Sequence, residues 1–508
     1  MLIGLFGSRA WAAEPFGIRL VDSASGAGVP LVELETVNRM RFVTDSAGWI
    51  AFNEPGLMNR TVFFSIKSHG YAFPKDGFGF AGKALQIRPG GSAVLKIKRM
   101  NIAERLCRLT GGGIYRDSVM LGRKAPVRKS LLNGQVFGQD SAQVAVYRGR
   151  AYWFWGDTNR PGYPLGHFQT SGATVKLSAS GGIDPSGGID YKYFTSDSGF
   201  SRRMCPISNK PGIMVWLHGL AVIPDGSGGE LMTAHYSQMK SLGERIAHGL
   251  AVWNDKKEIF EPAGEFAPDE KWRFPQGHPI LMTEGKRKWL VFNNPWPVVR
   301  VKAELAALGD SAKYEAFTCL KPGSRYAKGK TPIERDTSGK IIWGWKTNTD
   351  PITQDQEKEL ISSGALKSAE AHFQLQDASD SPVRLHRGSV RWNSYLKRWI
   401  LIGVQVGGSG SYLGEVWFAS AQSPTGPWRR GVKIVTHDKY SFYNPVHHAF
   451  LDIKDGRFIH FEGTYSRTFS KAPIPTQRYD YNQILYRLDL SDRRLKLADC
   501  MRRLHDAD

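Results

Sequence analysis

One short pattern recurs five times between Asp140 and His448, and it limits the chain to few folds. A polar residue opens a strand, a tight turn follows, and an aromatic-rich second strand ends in another polar residue. The copies open at Asp140 (QDSAQVAVYRGRAYWFWGDTN), His218 (HGLAVIPDGSGGELMTAHYS), His278 (HPILMTEGKRKWLVFNNPW), His386-Arg387 (HRGSVRWNSYLKRWILIGVQ) and His447-His448 (HHAFLDIKDGRFIHFEGTY). Apolar and polar residues alternating on both sides of a glycine-bearing turn make an antiparallel hairpin. Hairpins repeated along a chain bury their faces by stacking radially. The pattern predicts an all-β chain whose body is a five-bladed β-propeller, with the five polar openings gathered round one axis in one polar pocket.

The openings at Asp140, His218, His278, Arg387 and His447 are 78, 60, 109 and 60 residues apart. A plain blade needs roughly 40–50 residues, so the excess is inserted loop. The largest insertion, 301–384, holds a short helical part. KAELAALGDSAKYEAF is one helical pattern; TQDQEKELISSGALKS, with Thr353 as N-cap and carboxylates in its first turn, is the other. Loops on a rigid scaffold commonly carry specificity, so this insertion is expected at the rim of a cleft. The propeller is expected over 136–490.

Residues 16–99 have a different rhythm. GIRLVDSASGAGVPLVELETV, RFVTDSAGWIAF, TVFFSIKSHGYAF and SAVLKIKRM are short alternating strands with regular turn signals, the pattern of a small β-sandwich. The order of Val29-Pro30, Thr44 to Trp49 (TDSAGW) and Gly70-Tyr71 resembles the carboxypeptidase-regulatory or transthyretin-like sandwich. That resemblance implies packing or attachment and no chemistry, with Asp45 as a turn residue. Residues 100–135 are expected to link the two parts, beginning with a helix over NIAERLCRLT, where Ile102, Leu106 and Leu109 share a face.

The chain carries 68 Lys and Arg against 47 Asp and Glu, a net charge of +21. Such a field favours anionic partners such as acidic polysaccharide. The basic residues are scattered rather than massed, which argues against a nucleic-acid partner. Residues 1–15 (MLIGLFGSRAWAAEP) join a short apolar stretch to small residues, like a signal peptide and its cleavage site. No later segment has the uncharged apolar run of a membrane span. These features predict a secreted or periplasmic protein. Four cysteines (Cys107, Cys205, Cys319 and Cys500) admit three pairings into two disulfides, or none at all.

In each blade the start of the first strand, the end of the second and the start of the third share one face. Among the starts, Asp140, His218, His278, Arg387, His447 and His448 fall there. The ends contribute Asp157, His235, Gln405 and Glu462, and the third strands Ser171, His248 and Glu415. A lone His opening a strand is more often a satisfied structural residue than a functional one. Asp157 and Glu462 taken singly read as turn caps. Glu415, within the apolar GEVWFA, demands a partner or a function. Four carboxylates, several imidazoles and a guanidinium gathered at one face point to chemistry, and the imidazoles admit a divalent metal at the propeller axis.

GEVWFASAQSPTGPW is similar to the third strand and following turn of the five-bladed propeller glycoside hydrolases, the arabinanase, xylosidase and invertase group of families 43 and 32. GQDSAQVAVYRGRAYWFWGDTN is similar to their first blade. The resemblance implies a carboxylate base or nucleophile at Asp140, a pKa modulator opening the third blade and a general acid opening the fourth. This chain departs from the pattern there, with His278 and Arg387. Asp157, Glu415 and Glu462 stand as substitutes by geometry.

The expectation is a secreted carbohydrate-active enzyme, a glycoside hydrolase acting on a poly- or oligosaccharide, with Asp140, Asp157, Glu415 and Glu462 catalytic. His218, His235, His278, Arg387, Tyr443, His447, His448, Trp155 and Trp296 are expected to bind substrate. Two alternatives stay open. One is a polysaccharide lyase acting on a uronate glycan through His, Tyr and Arg; the other is a propeller that binds glycan without cleaving it.

Overall fold

A computed structural model describes residues 14–167, 169–177, 183–208 and 212–496. The leader-like residues 1–13 and Cys500 lie outside the described residues. Among the described residues nearly all of the regular structure is β, with three short α-helices. Among the described residues no helix is long and apolar enough to cross a membrane. The chain divides into two compact units, one of 1–100 with 113–131 and one of 101–112 with 132–508.

The first unit contains two four-stranded sheets. One runs Trp49–Phe52, Phe16–Asp22, Ser92–Arg99, Tyr71–Ala72; the other runs Arg41–Val43, Glu33–Thr36, Thr61–Lys67, Gly82–Gln86. Alternation in TVFFSIK puts Val62, Phe64 and Ile66 inward, where they share a core with Ile18, Leu20 and Phe52 of the other sheet. Asp45 is a turn residue. Its carboxylate accepts from the backbone of Ala47, Trp49 and Ser118 at 3.0, 3.1 and 2.7 Å. Gly48 closes that turn at φ +80°, where a Cβ would lie 2.5 Å from the Leu20 carbonyl.

In the second unit five antiparallel sheets of four or five strands follow in chain order, beside a three-stranded one of Gly138–Gln139, Thr158–Arg160 and Tyr163–His167. The five begin with the hairpins Gln143–Tyr147/Arg150–Trp155, Met214–Pro224/Glu230–Ser241, Ile280–Glu284/Arg287–Asn293, Leu385–Asn393/Arg398–Gln405 and Ser441–His447/Phe458–Ser466. Each sheet shares a hydrophobic core with the next. Phe154 packs with Leu217 and Met232, Ile223 with Leu290, Trp296 with Val390, and Val404 with Tyr443. The fifth sheet returns to the first through Trp153, Trp155, Val446 and Leu485. At the inner edge of three of these sheets, the preceding sheet supplies a side chain to the backbone N–H groups. Val390 N–H donates to Asn293 Oδ1 (2.8 Å), His447 N–H to Ser389 Oγ (2.8 Å) and Ser141 N–H to Thr464 Oγ1 (3.0 Å).

The helix expected at the start of 100–135 is instead a strand, Glu104–Arg108. It pairs antiparallel with Asn482–Asp489 as the outer strand of the fifth sheet, with Cys107 opposite Leu485. An open edge offering a row of hydrogen bonds outweighs the weak helical preference of five residues. The rest of that segment is split, with 113–131 belonging to the first unit. In the insertion, Gln354–Ser362 is helical, and Thr353 and Gln356 form a capping box. The other pattern gives a short α-helix, Leu305–Leu308, and a 3₁₀ turn, Ser311–Lys313, before the strand Glu315–Thr318. Cys107, Cys205 and Cys319 are buried free thiols.

Candidate active site

A cavity of about 1040 Å³ opens at one end of the hairpins of the second unit. Of the residues expected there, Asp140, Asp157, His218, His278, Arg387 and Tyr443 line it. His386, which opens the fourth copy with Arg387, lines it too, and the sequence reading missed Trp216, Gln276 and Tyr481, which are also in the lining. No residue of 301–384 does; the rim on the second sheet comes from Met239, Leu242 and Arg245.

Local pairing brings the two aspartates together. Gln139 sits opposite Thr158, and Gly156 N–H donates to the Asp140 carbonyl at 2.8 Å, so Asp140 and Asp157 flank one narrow ladder. Gly156 is required by this approach, since a Cβ there would stand 2.3 Å from Asp140 Oδ1. Asp140 Oδ1 accepts from the Asp157 N–H (3.1 Å) and Oδ2 from the Tyr443 hydroxyl (3.1 Å), and the Tyr481 hydroxyl bonds the same carboxylate. Trp216 Nε1–H donates to Asp157 Oδ1 at 2.9 Å. Ser141, Asn444 and Tyr481, all lining the cavity, have φ of +53°, +52° and +62°. Left-handed backbone at non-glycine residues is costly and concentrates at functional sites.

Burial makes ionisation expensive for both carboxyls, but their surroundings split them. The carboxyl of Asp157 is pushed up to about 7, by burial and then by the charge of Asp140, with only the Trp216 bond opposing. Burial raises Asp140 as well. Its charged form is favoured by Tyr443, Tyr481, the Asp157 N–H and the Arg387 charge. Asp140 therefore ionises first and Asp157 keeps its proton to near neutrality. Burial depresses the His218 imidazole to about 3, helped by the Arg387 charge; His386 is more exposed, and partial burial followed by the Arg387 charge lowers it. His278 is depressed by burial and then by Arg391. Tyr443 and Tyr481 are held well above the usual phenol range by burial and by Asp140.

The remaining expected residues lie elsewhere. Glu415 is buried, accepting from Thr436 Oγ1 at 2.6 Å and paired with Lys433 Nζ at 2.7 Å. Glu462 Oε1 accepts from Trp153 Nε1–H at 3.0 Å and meets His448 Nε2 at 2.6 Å within the core. His447 pairs with Asp452 at 2.9 Å, and His235 Nε2 with the Tyr314 hydroxyl at 2.9 Å. Trp155 packs edge-on against Tyr191, and Trp296 against Phe373, both inside cores.

Strand register and strand length displace the histidines and Glu462. The first strand of the fifth sheet is Ser441–His447, so its cavity end is near Tyr443 and Asn444, while His447 and His448 stand at the far end. Glu462, opposite Val446, falls in mid-strand. The second sheet is longer than expected, so its second strand runs past His235 to Ser241. Among the described residues no group of three or more His, Cys, Asp or Glu side chains is arranged to hold a metal ion.

No family model matches the chain, and no curated protein matches it. Among solved structures it is similar to an exo-1,5-α-L-arabinanase from a bovine ruminal metagenomic library, at 12% identity over 70% of this chain and 94% of that one (TM-score 0.33). A GH43 enzyme from Xanthomonas citri, solved with xylotriose, is 10% identical over 70% of this chain and 87% of that one (TM-score 0.33). An exo-β-1,3-galactanase from Phanerochaete chrysosporium is 9% identical over 76% and 64% (TM-score 0.35).

Proposed function

We propose that the chain is a glycoside hydrolase whose acid and base are Asp157 and Asp140. The five core-sharing sheets are read as blades of one five-bladed propeller, and the first unit as a β-sandwich appended to it. The carrying observation is the carboxyl pair on the cavity wall, in which Asp157 titrates near 7 while the charged form of Asp140 is held by two phenols and an amide. Glycoside hydrolysis needs that division: one carboxyl protonated, the other ionised. Protonated Asp157 gives its proton to the glycosidic oxygen as the C–O bond breaks. Asp140 takes the positive charge developing at the anomeric carbon, either by attacking it or by removing a proton from the attacking water. Water supplies the oxygen of the new reducing end and keeps one proton there; its other proton returns to the pair and restores protonated Asp157.

The titration pattern disfavours the lyase route. An imidazole at about 3 is too weak a base to take a carbon-bound proton, and phenols held above the usual range supply no phenolate at neutral pH. The neutral imidazoles of His218 and His278 and the Trp216 ring instead suit sugar hydroxyls and a sugar face.

Release of reducing ends from a panel of neutral and anionic polysaccharides tests the reading, comparing wild type with D140N and D157N. Turnover by the wild type and its loss in both variants is expected. Full activity in both, or binding of glycan by the wild type without turnover, would overturn it.

A further inference from the structure

Arg387 differs from other half-buried cations of this unit. Arg300 is neutralised by Glu315 at 2.7 Å and Glu284 at 3.0 Å. Arg245 is satisfied by the carbonyls of Glu270 (2.9 Å) and Pro268 (3.4 Å), and Arg391 by those of Val390 and His278. Arg387 lines the cavity, and the one hydrogen bond of its guanidinium is long, to Gln276 Oε1 at 3.3 Å; among the described residues it makes no ion pair. A guanidinium has five N–H donors, and most of those of Arg387 face the cavity without a protein acceptor. Asp140 favours its charge from a distance, but the oxygens of Asp140 are taken by Tyr443, Tyr481 and the Asp157 N–H.

The surroundings supply no other counter-charge. Arg245 and Arg387 are the cations of the lining, Asp140 and Asp157 its only carboxylates, and His218, His278 and His386 are neutral. With Asp157 protonated, as the proposed acid must be, the empty cavity carries an excess positive charge beside Arg387.

We propose that the substrate is an acidic glycan, and that Arg387 binds the carboxylate of a uronate residue placed next to the Asp140–Asp157 pair. This rests on the reading of the cavity as a glycan site. A planar fork with free parallel N–H groups matches a carboxylate in a bidentate arrangement, with the Gln276 amide beside it. A uronate would supply the one charge that the cavity lacks, and Arg387 would thereby select for it against the neutral sugar of the same configuration.

The experiment uses the full chain as D157N, so that ligands are not consumed, and the double variant D157N/R387Q. Calorimetry compares glucuronate and galacturonate oligosaccharides with their neutral counterparts and with sulfated ones. Uronates are expected to bind D157N at least about tenfold more tightly than neutral sugars, from one charge-assisted pair. That preference should vanish in D157N/R387Q, while neutral sugars bind both proteins alike. R387K keeps the charge without the fork, and is expected to retain only part of the preference should R387Q fail to fold. Equal binding of uronate and neutral sugars, an unchanged preference without Arg387, tighter binding of sulfated sugars, or no binding at all would each overturn the proposal. The hydrolase reading fails separately. Uronate preference without turnover by the wild type removes hydrolysis and keeps this inference; turnover of neutral glycans alone removes this inference and keeps hydrolysis.

Discussion

Replacing Asp157 with Asn should abolish turnover and stabilise the second unit, but only at neutral and higher pH. The Asp157 carboxyl rises from an ordinary 3.8 to about 7 on folding. A carboxyl with a raised folded value contributes stability that is fully present below its unfolded value and is lost as pH rises through the folded one. The wild type therefore loses stability between about pH 4 and pH 7. At 1.36 kcal/mol per pH unit, a rise of about three units corresponds to about 4 kcal/mol. Asp157 is half-buried and faces a water-accessible cavity, which screens its charge and reduces the expected effect to about 2 kcal/mol. Asn does not titrate, and its Oδ1 can still accept the Trp216 indole N–H. Urea unfolding followed by tryptophan fluorescence, run on both proteins at about pH 4 and pH 8, reads the effect. D157N should gain about 2 kcal/mol more over the wild type at the higher pH than at the lower. A difference independent of pH, or a variant less stable at pH 8, would refute the placement of an uncompensated carboxyl in the cavity.

Y443F removes a hydrogen bond that favours the ionised form of Asp140, so the acidic limb of kcat/KM should move up by about one pH unit; an unmoved limb would count against Asp140 as the group ionised in the reaction. G156A places a Cβ against the Asp140 carboxylate, and kcat/KM should fall about a hundredfold while thermal unfolding changes little. E462A leaves the Trp153 and His448 ring nitrogens unpartnered in the core and should cost about 3 kcal/mol in urea unfolding. E462Q keeps an acceptor and should turn over within about twofold of the wild type; loss of turnover in a folded E462Q would return Glu462 to the chemistry.

What the sequence discloses follows from which forces are local. Turn glycines, alternation and aromatic second strands are local, so the hairpins from Asp140 to Arg387 are legible. So is the approach of Asp140 to Asp157, because the two lie across one hairpin. Register at the fifth hairpin depends on a bulge between Tyr443 and Val446, which shifts the cavity end of the strand to Tyr443 and removes His447, His448 and Glu462 from the site. His447 is satisfied nearby by Asp452 and His448 by Glu462, but the bond of Glu462 to Trp153 joins residues distant in sequence, which no local pattern reveals. Glu415 was legible as a carboxylate in need of a partner, and Lys433 and Thr436 are those partners. Tyr481 had a usable signal: it immediately precedes the third strand of the fifth sheet, Asn482–Asp489, the position that the blade geometry marks as cavity-facing. Glu104–Arg108 was illegible because its strand conformation comes from an edge almost four hundred residues away, Asn482–Asp489.

The central claim is that water cleaves a glycosidic bond between Asp157 and Asp140. The most direct measurement is mass spectrometry of the products formed in water enriched in heavy oxygen, on whichever glycan the wild type cleaves. One heavy oxygen at each new reducing end, absent from D140N and D157N reactions, is the predicted result. Products without the label that carry a new carbon–carbon double bond would contradict it and identify elimination instead.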